Sequence, residues 1–484
     1  MELFSIIIIV NSVLLWSVGR ADNEIFSKSS PIFYSNVYRR LAQTMRQAES
    51  GLKIYIYPVP DDAIRSTIPL EIGCAPHFNA EFQIPSFFRT NGFVTDNPNE
   101  ANFFLITHNI SCLHINWKSS KILAYFGNLS TNINSEWSMK YAAERHLGVI
   151  VRSVIHDFPF FNKSLGHDHL FITTFDNFPY ETFLYKQWLD LLVNATCLMN
   201  FGIIPEKGYL ISNYGIRDHD RDIVIPQYHH YTPFTNNVHI IRKYDSFFKG
   251  SYNNDGLVSH GIRPLLKMNS GEWHYISKGG GRPNIIKDFG DEKYRYFSTS
   301  DATSTDVVSD SYFCLCPAGM APWSVRLYDA ISHACIPVLL ATGIKLPFER
   351  FLNWSTFVIK IDTDPFFVNP NATQSIRDQL LLSLHLKAGE KNKSGNGQTS
   401  YLYEKMNSVI EASRWLHWQY TNAEGVVNPR SIWRLLVLEL WCHAAIYGNN
   451  KQNHYLNKVE ANHDYLNVCL KYSKSPSTVS NWRY

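Results

Sequence analysis

The stretch YFCLCPAGMAPWSVRLYDAISHACIPVLL, residues 312–340, reads as strand, loop, helix and strand within 29 residues. Residues 312–316 are aromatic and apolar, the pattern of a buried strand. Pro317 through Trp323 include Gly319 and Pro322 and read as a loop. Ser324 suits a helix cap, because its hydroxyl can accept from a free N–H of the first turn. Over 325–334, Leu327, Ile331 and Ala334 recur at offsets 0, 4 and 7, one face of an α-helix. Residues 335–340 are a second buried strand. A strand–helix–strand unit of this size implies a parallel sheet and sets the helix start at its carboxyl edge. Anions bind there, because free backbone N–H groups and the helix dipole face them.

Two polar residues stand where such a site needs them. Arg326, in the first turn, can fork onto a phosphate. Asp329, three residues on, shares its face of the helix, and a carboxylate there can accept from both hydroxyls of a ribose. The spacing alone is equally that of a surface Arg–Asp pair.

Outward from this unit the chain keeps alternating strands with helical text. In the first half, residues 53–57, 101–107, 151–156, 169–174 and 222–226 read as strands, and 71–92 carries helical spacing through Phe78, Phe82, Phe87 and Phe88. In the second half, 244–249 reads as a strand, 263–268 as a helix, and 346–361 as a turn and a strand. Residues 401–420 and 431–446 read as helices, with Trp415, Trp418, Trp433 and Trp441 as core rather than a sugar-stacking platform. The alternation predicts α/β layers with parallel sheets. The divisions are a leader at 1–21, a stem or frayed helix at 22–50, one lobe at 51–238, a second at 239–446, and a tail at 447–484.

Composition excludes several classes. The chain has 484 residues, 45% hydrophobic, so wholesale disorder is excluded. A net charge of +3 gives no electrostatic footprint for nucleic acid. Residues 3–18 are mostly apolar and read as a signal peptide or a short signal anchor, which puts the rest in the secretory lumen. Asn109, Asn128, Asn162, Asn194, Asn353, Asn371 and Asn392 each begin an Asn-x-Ser/Thr sequon, compatible with that address. Of eight cysteines, Cys314, Cys316 and Cys335 lie in apolar runs and read as buried thiols. Cys74, Cys112, Cys197, Cys442 and Cys469 read as the disulfide candidates.

Phe313-Cys314-Leu315-Cys316-Pro317, Ala321-Pro322-Trp323-Ser324, Arg326-Leu327-Tyr328-Asp329-Ala330, Cys335-Ile336-Pro337-Val338 and Leu346-Pro347-Phe348-Glu349 resemble the exostosin-like glycosyltransferases. Tyr55-x-Tyr57-Pro58, Glu81, Gly166-x-Asp168-His169, Asp222-x-Val224-x-Pro226 and Phe247-Phe248-x-Gly250 follow the same family's order. The resemblance implies a GT-B fold, two Rossmann-like lobes with parallel sheets facing a cleft, with the C-terminal helices packing back on the lobes. It implies an inverting glycosyltransferase of the Golgi lumen. Its donor would be a UDP-sugar and its acceptor a glycan or proteoglycan, with room for a partner glycosyltransferase and no required metal. Arg326 and the helix start at Ser324 would hold the diphosphate and Asp329 the ribose, with Gly319 in the same donor-binding set. Gly250 and Arg263 would line the donor cleft, with Glu349 near the sugar or phosphate. Two positions depart from the family pattern: Ala341-Thr342-Gly343 and Lys345 stand where acidic residues are common.

Inversion needs a base for the acceptor hydroxyl. Asp168 and Glu81 are the leading candidates, with Asp176 a third. Asp168 could equally cap a turn, and Glu81 could be a solvated charge. Two alternatives stand beside this reading. One is a glycan-binding protein on an inactive transferase scaffold. The other is a metal-dependent transferase holding Mn²⁺ between Asp362 and Asp364.

Overall fold

The structure, a computed structural model, describes residues 30–59, 78–108, 111, 136–174, 194–203, 221–229, 242, 244–248, 296–297, 308–318, 324–341, 343–361, 397–420, 428–447 and 469. The first lobe is built from β1 (Ile54–Ile56), α2 (Ala80–Thr90), β2 (Phe103–Ile106), α3 (Glu136–Asp157), α4 (Phe160–Ser164), β3 (His169–Thr173), β4 (Thr196–Met199), β5 (Gly202–Ile203) and β6 (Ile223–Val224), and is preceded by α1 (Ser35–Gly51). Its parallel sheet runs β1-β2-β3-β4-β6, with Leu105 beside Leu170 and Phe171 beside Cys197. Every residue of β2, β3 and β4 is buried, as a sheet covered on both faces requires.

The second lobe holds β7 (Tyr244–Phe247), β8 (Tyr296–Phe297), β9 (Ser311–Pro317), α5 (Arg326–Ser332), β10 (Ile336–Leu340), β11 (Ile344–Lys345) and β12 (Ile359–Ile361). Its parallel sheet runs β12-β10-β9-β7-β8. The order reverses at β7, because β8 lies on one side of it and β9 on the other. The crevice at the carboxyl ends of β7 and β9 is therefore a topological switch point, the place where open α/β sheets bind ligands.

The segments 30–51 and 397–447 cross between the lobes. Residues 30–34 lie on the second lobe, where Tyr34 donates to the Phe351 carbonyl at 3.3 Å and Asn353 donates to that of Ile32 at 2.7 Å. Helix α1 then packs on α7 (Ile432–Tyr447), burying Leu41, Met45 and Ala48, and Arg434 grips Glu49 through Nε at 2.5 Å and Nη2 at 3.2 Å. Residues 35–51, read above as stem or frayed helix, are thus a packed core element. At the other end, α6 (Gly397–Trp415) packs on α5 and β10, whereas α7 returns to the first lobe, with Trp433 stacked on Phe87 at 4.1 Å. Trp415, Trp418, Trp433 and Trp441 are all buried.

A short antiparallel ribbon also joins the lobes: Ile344 pairs with Ile203, and Lys345 with Gly202. A Cβ on Gly202 would sit 2.9 Å from Cγ2 of Val224 and 3.1 Å from Cβ of Lys345, so only glycine permits this approach.

Three further expectations are corrected. Residues 151–156 are the last turns of α3, not a strand. Leu147, Ile150, Val151 and Val154 are its buried face, a helical spacing that overrides the β-branched composition. Cys314 and Cys335 are not free thiols; they form a disulfide across β9 and the start of β10. Parallel pairing sets Pro337 beside Cys314, which brings Cys335 within reach. Cys442 and Cys469 form a second disulfide, while Cys197, expected to be paired, is buried and forms no disulfide, like Cys316. Burial pushes the Cys316 thiol up to about 12.

Candidate functional site

Helix α5 starts beyond the carboxyl end of β9. Ser324 precedes it, and its Oγ accepts from the Arg326 N–H at 3.3 Å and from Arg326 Nη1 at 3.0 Å. The guanidinium also lies over the ring of Phe248, 5.3 Å from its centroid. Phe248 directly follows β7. The Arg326–Phe248 pair therefore closes the switch point from its two sides, and a stacked guanidinium keeps its fork aimed.

Asp329 is half-buried one turn on. Its carboxylate has no hydrogen-bond or ion-pair partner among the described residues, and burial pushes its carboxyl up to about 7. Such a group gains from any ligand that brings hydroxyl donors. The preceding residue, Tyr328, stacks on His229 from the first lobe at 5.6 Å, so the helix that carries Asp329 is braced against the other lobe. Glu349 follows Phe348, whose φ is 54°. Burial raises Glu349 to about 7, while the Leu346 N–H and the charges of Lys360 and Lys345 pull the other way.

In the first lobe, Glu81 lies in the first turn of α2 and is 2% exposed. Its carboxylate accepts from the Ser111 N–H at 3.0 Å and the Thr174 N–H at 3.2 Å, and from the hydroxyls of both residues. His108 Nδ1 stands 3.8 Å away. These partners follow the ends of β2 and β3, so Glu81 binds the carboxyl edge of the sheet. Burial raises its carboxyl to about 7, against the lowering effect of the Ser111 and Thr174 bonds. Asn200, one residue past β4, extends the cluster by donating from Nδ2 to the Thr174 carbonyl at 3.0 Å.

Asp168 lies elsewhere. It immediately precedes β3 and accepts from Ser164 Oγ at 2.5 Å. The ring of His169 joins Asp168 Oδ1 at 2.7 Å through Nδ1 and the Tyr57 hydroxyl at 2.7 Å through Nε2. Tyr57, Phe104 and Phe161 surround that ring. The structure thus brings Ser324, Arg326 and Asp329 together, places Glu81 at the carboxyl edge of the other sheet, and leaves Asp168 at the amino edge. Gly250, Arg263, Gly319, Asp176, Asp362 and Asp364 lie outside the described residues. Sequence reasoning missed Ser111 and Thr174. Ser111 reads only as the hydroxyl of the Asn109 sequon, and Thr174 as the tail of a strand.

The fold and this geometry define a two-lobed α/β protein of the GT-B class, with a basic helix start at the switch point of its second sheet. The sequence matches the Exostosin GT47 domain over residues 48–376, and the chain belongs to that family. It is 26% identical over 325 residues to a probable glucuronosyltransferase of rice, covering 65% of each chain. It is 25% identical to the probable beta-1,4-xylosyltransferase IRX10L of Arabidopsis thaliana, covering 64% of this chain and 68% of that one. It is 28% identical to the probable glucuronoxylan glucuronosyltransferase IRX7 of the same plant, covering 63% of this chain and 62% of that one. The match thus spans about two thirds of the length of these relatives.

Proposed function

We propose that the protein is an inverting glycosyltransferase that moves a sugar from a UDP-sugar to a glycan acceptor in the Golgi lumen. The observation that carries this reading is Arg326 stacked on Phe248 at the switch point, one turn from the Asp329 carboxylate, which has no partner among the described residues. In this reading Arg326 and the helix start that follows Ser324 take the diphosphate, and Asp329 takes the ribose hydroxyls. Gly250, Arg263 and Gly319 line the donor cleft, and Glu349 meets the sugar or phosphate. A leaving diphosphate held by a helix dipole and an arginine needs no metal for its charge.

Glu81 is the acceptor-side carboxylate in this proposal. It sits at the carboxyl edge of the first sheet, and a carboxyl near 7 is matched to proton abstraction at neutral pH. The Cys314–Cys335 and Cys442–Cys469 disulfides support an oxidising, lumenal compartment. The names of the relatives make UDP-glucuronic acid and UDP-xylose the donors to test, and xylan-type oligosaccharides the acceptors.

The test is UDP binding by calorimetry, in EDTA and again with Mn²⁺, alongside Asp329→Ala. Metal-free binding lost in the variant supports the reading. Binding only with Mn²⁺ moves the site to Asp362 and Asp364. UDP binding with no turnover of any donor favours a glycan-binding protein on a transferase scaffold.

A further inference from the structure

The sequons at Asn162, Asn194 and Asn353 are the three whose asparagines are described, and they differ in one respect that matters for carrying a glycan. An N-linked glycan is attached to the extended chain during translocation, so the folded state must leave its asparagine facing water. Asn194 and Asn353 are half-buried, whereas Asn162 is exposed. Asn353 is tied down by the Ser355 hydroxyl at 2.6 Å and donates its backbone N–H to the Ile32 carbonyl at 2.7 Å.

We propose that Asn162 carries an N-linked oligosaccharide in the mature protein, which rests on the lumenal reading above but on no enzymatic activity. The local geometry fits the modification. Among the described residues Asn162 uses its Nδ2 for one bond, to the Ile155 carbonyl at 3.1 Å. Glycosylation replaces one of the two Nδ2 hydrogens, so the other can keep that bond. In the reaction Nδ2 bonds to the anomeric carbon of a lipid-diphosphate-linked oligosaccharide. The bond from that carbon to the diphosphate oxygen breaks, and the displaced proton leaves with the lipid diphosphate. Three residues on, Leu165 caps α4 in a left-handed conformation and is 64% exposed. Helix α4 directly precedes β3, so the site lies at the amino edge of the first sheet, away from the proposed reaction edge.

The full chain is expressed in a eukaryotic secretory host and treated with peptide N-glycosidase in ¹⁸O-water, which turns each glycan-bearing Asn into labelled Asp. Labelled Asp is expected at position 162. The Asn162→Gln variant is expected to run faster by one glycan and to be recovered from the host in equal amount. An unlabelled Asn162, or unchanged mobility of Asn162→Gln, overturns the proposal. Both measurements leave the transferase reading to its own test.

Discussion

The carboxylates of Glu81 and Asp168 stand at opposite ends of β3. Glu81 accepts from Thr174, one residue beyond the strand, and Asp168 lies one residue before it. At about 3.3 Å per residue the two sites are roughly 20 Å apart, so one acceptor hydroxyl cannot meet both. With Glu81 as the base, Glu81→Gln should lower turnover by about 100-fold or more and leave UDP binding intact. Asp168→Asn should keep turnover within about twofold and lose about 1–3 kcal/mol of stability, because His169 and Ser164 lose an ionised partner. Steady-state kinetics with urea melts separate the two, and equal kinetic losses would overturn the assignment.

Asp329 should show opposing effects on stability and binding. Burial raises its carboxyl from 3.8 to about 7, so the folded protein holds this proton longer than the unfolded chain does. Its stabilising contribution is therefore full below about pH 4 and is lost as pH rises towards 7. Asp329→Asn should remove that part of the slope and raise stability at pH 8 by roughly 1–3 kcal/mol, allowing for solvent screening. The same variant should weaken UDP binding by about tenfold to 100-fold, through two lost charge-assisted bonds. Denaturant melts at pH 5 and pH 8 check the first effect and calorimetry the second.

Reduction should cost stability at two separate points. The Cys314–Cys335 bond spans 21 residues and the Cys442–Cys469 bond 27, each expected to contribute about 2–4 kcal/mol. The second also anchors the chain beyond α7, where Arg350 Nη1 donates to the Cys469 carbonyl at 2.8 Å. In the native protein Cys197 and Cys316 should resist maleimide, and denaturation without reductant should expose both. Peptide mapping of the labelled thiols reads the pairing directly.

Gly202→Val should loosen the two lobes. Its side chain would press on Val224 and Lys345 and part the β5–β11 ribbon. The expected results are a loss of about 1–3 kcal/mol and faster amide exchange at residues 202–203 and 344–345. Unchanged exchange would mean that the crossings of α1 and α7 suffice to hold the lobes.

Much of the second lobe was legible because its signals are local. The 312–340 unit carries its own loop residues, cap and helical face, and the structure differs from that reading by one or two residues at each end. The arrangement of Ser324, Arg326 and Asp329 followed from helix spacing alone. Phe248 as the partner of Arg326 did not, because 78 residues separate them and only the β7–β9 pairing brings them together. The Cys314–Cys335 bond was hidden for the same reason: two thiols in apolar strands look inert until the register is known.

What the sequence determined by itself was the layered α/β class and the strand–loop–helix–strand unit at 312–340, with Ser324, Arg326 and Asp329 at the start of its helix. Those follow from periodicity and turn chemistry within short windows. Which end of a strand a carboxylate occupies is decided by parallel pairing and by the side on which each helix crosses. That is why tertiary structure alone separates Glu81 from Asp168 and makes α1 part of the core. It also commits the chain to ties between the lobes, since Gly202 and Lys345 meet only after both sheets have formed.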